Sequence, residues 1–133
     1  MILHIDGKRT LKELQDDFAA AFPYLRLEFF ARPHRRMMRS SVRRKLNPFL
    51  QVATVRSHQR NGALTVEGNM TVQELEQLLQ QQYDLCAQVY HFAKGDWLMT
   101  DAADVATLDE LNEQGRREAH EQHHVYVQPR NFL

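Results

Sequence analysis

The chain has 133 residues, a mass of 15.7 kDa, and 43% apolar and 26% charged residues. This length fits one domain, because domains most often have about 100–150 residues, and this composition excludes a disordered or collagen-like chain. The apolar runs are far shorter than the roughly 20 residues that cross a bilayer, and Met1–Asp6 meets charge too early to be a signal peptide. The single cysteine, Cys86, excludes an internal disulfide and fits a reducing, cytoplasmic compartment.

The net charge of zero conceals a segregation along the chain. Residues 1–31 carry a net charge of −1, residues 32–60 carry +9 and residues 61–133 carry −8. Such a distribution affects the surface field and association rather than the fold.

The first residues of the chain share a pattern with its second half. Ile5–Leu14 aligns with Val66–Leu75, with glycine, threonine, glutamate and leucine in identical places. With one extra residue in the second copy, Leu27 aligns with Val89. Each copy predicts a strand, a glycine turn, a helix and a second strand.

This internal repeat divides a single domain, residues 1–133, into three parts. Residues 1–31 are the first predicted βαβ unit. Residues 63–133 are the second, which also carries a hairpin strand and a C-terminal helix, and residues 32–62 are a basic connector between them.

Three threonines, each followed three residues later by a glutamate, mark the starts of the predicted helices. The pairs are Thr10 with Glu13, Thr71 with Glu74 and Thr107 with Glu110. In such a capping box the hydroxyl accepts an N–H of the first helical turn, and the carboxylate reaches back to the cap. Apolar residues three and four positions apart follow the first two boxes and predict amphipathic helices that end at Pro23 and Asp84.

The segments after these two helices alternate in the manner of strands. Leu25, Leu27 and Phe29 point one way and Arg26 and Glu28 the other, while Ala87, Val89 and His91 alternate with Gln88, Tyr90 and Phe92. Ala93–Asp96 predicts a hairpin turn, and Trp97 on the returning strand is expected to pack on the helices. Val125–Val127 predicts a final edge strand, and Phe49–Val55 fits a helix or a strand.

Together these elements predict an α+β domain. We expect a two-layer sandwich in which helices pack on one face of a mixed sheet, built from two related βαβ units.

The second half resembles a family of small uncharacterised bacterial α+β domains of unknown function. The residues that carry the resemblance, within residues 64–115, are Met70–Glu76, Gln88, Val89, Trp97, Thr100, Asp104 and Thr107–Gly115. The resemblance implies an α+β fold and assigns no site.

The strongest concentration of charge is the basic segment, residues 32–45. Its cationic residues are Arg32, Arg35, Arg36, Arg39, Arg43, Arg44 and Lys45. Arginine forks bind phosphate oxygens in pairs, so these residues are candidates for binding an anion, a nucleic acid or an acidic partner. The competing interpretation is a connector whose charge meets acidic helices of the same or a neighbouring chain.

The run from His120 to His124 formally satisfies the H-E-x-x-H metal motif. On a helix His120 and His124 share a face and could hold zinc, with Glu121 as general base. The run lacks an apolar face and an obvious third ligand, so we expect a polar helix end and no resident metal.

Cys86 has two interpretations, a nucleophile paired with His91 or a small buried apolar residue, and the second is favoured. No pattern predicts a catalytic group or a cofactor. We therefore expect a non-enzymatic module that associates with itself or with a protein partner through its segregated charge, without membrane contact. The alternatives are a nucleic-acid-binding accessory domain that uses the basic segment and a metal-dependent hydrolase.

Overall fold

The computed structural model describes residues 1–31, 44–57, 59–101 and 104–127, and the backbone alone for residues 122–127. In chain order the elements are β1 (Ile2–Ile5), α1 (Leu11–Ala21), β2 (Leu25–Phe30), α2 (Val52–Val55), β3 (Gly62–Thr65), α3 (Val72–Tyr83), β4 (Cys86–Ala93), β5 (Asp96–Met99) and α4 (Leu108–Val127). The predicted α+β class is confirmed, because the helices pack against antiparallel sheets. Among the described residues, no helix is both long and apolar enough to span a membrane.

The three long helices begin where the capping boxes predict. The hydroxyl of Thr10 accepts the N–H of Glu13 at 3.2 Å, and the Glu13 carboxylate accepts the N–H of Thr10 at 3.1 Å. Helix α4 has the same reciprocal pair of bonds, and α3 has the threonine half of it. Each cap satisfies N–H groups that the first helical turn leaves without an internal partner.

The strands are divided between two antiparallel sheets rather than one shared mixed sheet. β1 pairs with β3, and β4 lies between β2 and β5. The two strands of each predicted βαβ unit therefore lie in different sheets, and each pairs with a strand of the other unit. Alternation in a sequence indicates which face of a strand is buried, and it does not choose the neighbouring strand. The internal repeat itself stays a prediction.

In each sheet, the strand register places one pair of residues that match in the sequence alignment directly opposite each other. Leu27 of β2 faces Val89 of β4, the pair that the sequence alignment matches. The same alignment, extended two residues back, matches Leu3 with Leu64, and these residues also face each other. Both sheets and the helices α1, α3 and α4 contribute to one apolar core.

The outer edge of β2 pairs with the chain that follows the basic segment. The N–H of Ala31 donates to the carbonyl of Arg44 at 2.8 Å, and the N–H of Leu46 donates to the carbonyl of Phe29 at 2.9 Å. Residues 44–46 thus return beside β2 as the second arm of a hairpin.

The structure decides one open alternative and corrects one prediction. The stretch Phe49–Val55 contains both a turn and the single helical turn α2, since the N–H of Leu50 donates to the carbonyl of Asn47 at 3.1 Å before α2 begins. The predicted edge strand Val125–Val127 is wrong, because α4 continues through these residues. A helix that is already formed adds one hydrogen bond for each further residue, and a strand of three residues without a partner adds none.

Candidate functional site

The three-stranded sheet has one buried and one accessible face. The buried face carries Leu25, Leu27, Phe29, Ala87 and Val89, as the alternation predicts. The other face, named the outer face from here on, carries Arg26, Glu28, Gln88, Tyr90, Phe92, Trp97 and Met99. The outer-face side chains are all half-buried or exposed.

Aromatic rings gather at the end of the outer face nearest the β4–β5 turn. Phe92 and Trp97 are cross-strand neighbours with ring centres 5.5 Å apart and planes inclined by 70°. Tyr24, just before β2, lies 6.5 Å from Phe92. Tyr90 is two residues before Phe92 and faces Met99, so it is a diagonal neighbour of Trp97. The Cα atoms of such diagonal pairs lie about 7–8 Å apart.

Two cations lie against these rings. The guanidinium carbon of Arg26 is 4.2 Å from the centre of the Trp97 ring. The amino group of Lys45 is 5.6 Å from the centre of the Tyr90 ring and 3.6 Å from the Glu28 carboxylate. Such positions place a cation over the negative face of an aromatic ring. The outer face therefore combines π surfaces with positive charge.

The hairpin between β4 and β5 positions Trp97. Its two turn residues, Lys94 and Gly95, have φ angles of 54° and 79°, the left-handed pair that a two-residue hairpin of this hand needs. The carboxylate of Asp96 then accepts the N–H of Trp97 at 2.7 Å. This bond ties the free edge of β5 to its own chain.

Helix α4 secures the same end of the sheet. The side-chain oxygen of Asn112 accepts the N–H of Tyr24 at 2.8 Å, and the Glu118 carboxylate accepts the N–H of Lys94 at 2.9 Å. Buried Gly115 lies between these two residues of the helix, against Tyr24 and Phe92. The aromatic cluster is thus fixed to the helical layer at two points.

Two of the predicted cationic residues, Arg44 and Lys45, lie in the described part of the chain. Lys45 contacts β2 through Glu28 and the outer face through Tyr90. Arg44 is exposed beside Ala31. The other candidates lie outside the described residues: Arg32, Arg35, Arg36, Arg39 and Arg43.

The H-E-x-x-H residues lie on α4, as expected. His120 and Glu121 are exposed, and the side chain of His124 lies outside the described residues. Within the described part of the chain, no three His, Cys, Asp or Glu side chains come together in a way that could hold a metal ion.

Cys86 and His91 do not form a pair. Both lie on β4, and because they are five residues apart their side chains point to opposite faces. The Nδ1 atom of His91 is instead 2.7 Å from the hydroxyl of Thr100. This arrangement does not support a thiol–imidazole nucleophile.

A polar groove of about 250 Å³ lies between α3 and the start of β4. Its lining is Gln73, Glu76, Gln77, Gln80, Cys86, Ala87 and Gln88. Glu76 accepts the N–H of Val89 at 3.0 Å, which covers the edge of β4 where β5 has ended. The contact protects a strand edge, and the groove offers few apolar surfaces for a small ligand.

Apart from Lys45, the sequence did not single out the residues that the outer face brings together. Trp97 is expected from the sequence to pack on the helices, whereas its ring contacts Arg26 and Phe92. Strand alternation does indicate this face, since Tyr90 and Phe92 point the same way as polar Gln88. The strand register is needed to show that Arg26 and Lys45 lie beside them.

Comparison of the chain with protein-family models, with curated proteins and with solved structures finds no match.

Proposed function

We propose that the protein is a non-enzymatic module that binds single-stranded nucleic acid on the outer face of its three-stranded sheet. The observation that carries the proposal is the pairing of half-buried rings with cations: Arg26 at Trp97 and Lys45 at Tyr90. Bases stack on aromatic side chains whatever their sequence, while cations track the phosphates. A single strand fits this face, because the bases of a duplex are already stacked on each other.

The spacing of the rings suits successive bases. Tyr90 and Trp97 are diagonal neighbours on β4 and β5, and the Cα atoms of such a pair lie about 7–8 Å apart. An extended strand that crosses the sheet would meet both rings, with Arg26 and Lys45 beside them.

The basic segment adds charge next to this face. It begins after Ala31 and includes Arg44 near its end, and these two residues are joined by a hydrogen bond at the edge of β2. Both ends of the segment are therefore held at the edge of the proposed site. The cytoplasmic location expected from the single Cys86 is part of the same proposal, since nucleic acid is abundant there.

Binding can be measured by fluorescence anisotropy of a labelled single-stranded oligonucleotide of mixed sequence, as RNA and as DNA. Tyr90→Leu and Trp97→Leu should each weaken binding by about 5- to 150-fold, the equivalent of about 1–3 kcal/mol for one stacked base. Phe49→Leu is the matched control, because Phe49 is 70% exposed but lies on a turn outside the sheet. Lys45→Ala should reduce the salt dependence by about 0.7 on the logarithmic scale, the contribution of one phosphate.

The proposal predicts steep salt dependence and little affinity for a duplex of the same sequence. Equal loss in Phe49→Leu and Trp97→Leu would show that the outer face is not the site. No binding by the wild-type chain at about 50 mM salt would reject the nucleic-acid function.

A protein partner at the edge of β5 is a second candidate, because this edge strand carries exposed apolar side chains. Leu98 and Met99 are 41% and 53% exposed, and β5 is the outermost strand of its sheet. An open edge strand can pair with a second copy of the chain. Light scattering should then show a dimer that Met99→Lys dissociates and Ile2→Lys, at an exposed position of β1, does not. A monomer at every salt concentration would exclude the second copy.

A further inference from the structure

We infer that Arg26 is an internal ligand of Trp97, which a nucleobase displaces when the proposed nucleic-acid site is filled. The inference rests on the proposed function and adds how the site selects its ligand. At 4.2 Å from the ring centre, the guanidinium is in stacking contact with the indole. The gap leaves no room for a third planar group, so a base can use that side of Trp97 only after Arg26 has left.

Two other contacts fix Trp97 on the sheet. Phe92 packs against the indole with its ring inclined by 70°, and Asp96 holds the backbone N–H of Trp97. Both contacts belong to the folded hairpin and remain when Arg26 moves. Arg26 is exposed, and within the described residues no carboxylate forms an ion pair with it. Its position is therefore set by the indole.

Displacement gives Arg26 a second role. A base that stacks on Trp97 brings the phosphate of its own nucleotide to the same part of the sheet, and the freed guanidinium can bind that phosphate through two parallel N–H bonds. In a nucleotide strand, the new contact between Arg26 and the phosphate thus replaces the lost contact between Arg26 and Trp97. A nucleoside has no phosphate and a polyanion such as heparin has no base, so neither completes the exchange. The site is thereby selective for bases linked to phosphates.

The experiment uses the indole N–H resonance of Trp97, the only tryptophan in the chain, in the full-length protein. Adenosine and a single-stranded oligonucleotide are titrated separately into the wild type, Arg26→Ala and Arg60→Ala. Arg60 is the matched control, because its guanidinium lies 6.0 Å from the centre of the Tyr83 ring, away from the outer face. Signal dispersion in each spectrum shows that the variants are folded.

Arg26→Ala should change the two affinities in opposite directions. Adenosine should bind about two- to fivefold more tightly, because the cation–π contact no longer has to be broken. The oligonucleotide should bind more weakly, with a salt dependence lower by about 0.7 on the logarithmic scale. Arg60→Ala should leave adenosine binding unchanged.

The displacement would be overturned if adenosine bound Arg26→Ala no more tightly than the wild type. The proposed function would still stand in that case, provided that the oligonucleotide shifts the Trp97 resonance of the wild type. The same response in Arg60→Ala would also overturn it, because the effect would then follow from charge alone. An oligonucleotide that leaves the wild-type resonance unmoved would reject both the displacement and the proposed function.

Discussion

Gly115 lies buried inside α4, at a position where glycine is expected to weaken a helix. Glycine at this position lets α4 approach Tyr24 and Phe92 closely. A Cβ atom built there would lie 2.8 Å from the Cβ of Tyr24, 3.3 Å from the carbonyl oxygen of Phe92 and 3.4 Å from that of Tyr24. Two of these atoms belong to the backbone and the third is attached to it, so none can rotate away. We expect Gly115→Ala to destabilise the protein, although alanine is the better helix former.

The size of the effect follows from two opposing contributions. Alanine in place of glycine stabilises a helix interior by about 1 kcal/mol. A methyl group forced into a closely packed site costs about 1–3 kcal/mol, and this one meets a contact of 2.8 Å that real Cβ atoms do not show. The net loss should be up to about 2 kcal/mol, a large part of the roughly 5–15 kcal/mol that stabilises a typical domain.

Urea unfolding followed by far-UV circular dichroism measures this difference. Gln114→Ala is the matched control, because Gln114 is the exposed neighbour on the same helix, and its unfolding free energy should change by less than about 0.5 kcal/mol. A higher midpoint for Gly115→Ala than for the wild type would refute the reasoning. It would mean that α4 can move away from Tyr24, and that the aromatic cluster is held less firmly than the contacts of α4 indicate.

Two further predictions concern the helix caps. Thr10→Ala and Thr71→Ala should each lower the free energy of unfolding, measured by urea unfolding, by about 1 kcal/mol, because each hydroxyl accepts an N–H of its helix. Thr54→Ala is the control and should leave this free energy unchanged, because Thr54 lies at an exposed position of α2 without a capping bond. Hydrogen bonds from the backbone of Thr10 and the side chain of Arg9 lower the pKa of Glu13 below its ordinary 4.5. Its contribution to stability is therefore complete above that value and is lost as the pH falls through the lowered pKa. Urea midpoints measured from neutral to acid pH should fall less steeply in Glu13→Gln, and an unchanged acid slope would contradict this assignment.

Local chemistry accounts for the parts of the fold that the sequence predicts correctly. A capping box needs two side chains three residues apart, so Thr10 and Glu13 indicate a helix start without knowledge of the rest of the chain. The end of α3 is similar, since Asp84 adopts the left-handed conformation, with φ of 55°, that ends helices. The burial of Leu25 and Leu27 follows from alternation in the same way.

Strand partners and the outer face depend on contacts between residues far apart in the chain. Arg26 and Trp97 meet because β2 and β5 both flank β4, an order that no local pattern contains. An aromatic residue in an alternating segment fits a core and an accessible sheet face equally well. Tyr90 and Phe92 become candidates for binding only when the register shows which cations lie beside them.

The register also indicates where the segregated charge enters the fold. In the alignment that matches Leu27 with Val89, Ala31 corresponds to Ala93, and the two positions have equivalent neighbours: Ala31 bonds to Arg44, and Ala93 pairs with Asp96. Each is the last residue of one hairpin arm. The two-residue turn Lys94–Gly95 joins the second pair of arms, while residues 32–43 join the first.

The basic segment, which carries seven of the nine cations of residues 32–60, thus connects the two arms at the edge of β2, where Lys45 reaches Tyr90. A connector needed only to link two halves could start anywhere on the surface. Both ends of the basic segment are held at an edge of the sheet that carries the outer face, where the proposed binding needs cations to track the phosphates of a stacked strand. For this reason the charge arrangement and the aromatic rings favour the same ligand, and a net charge of zero does not argue against it.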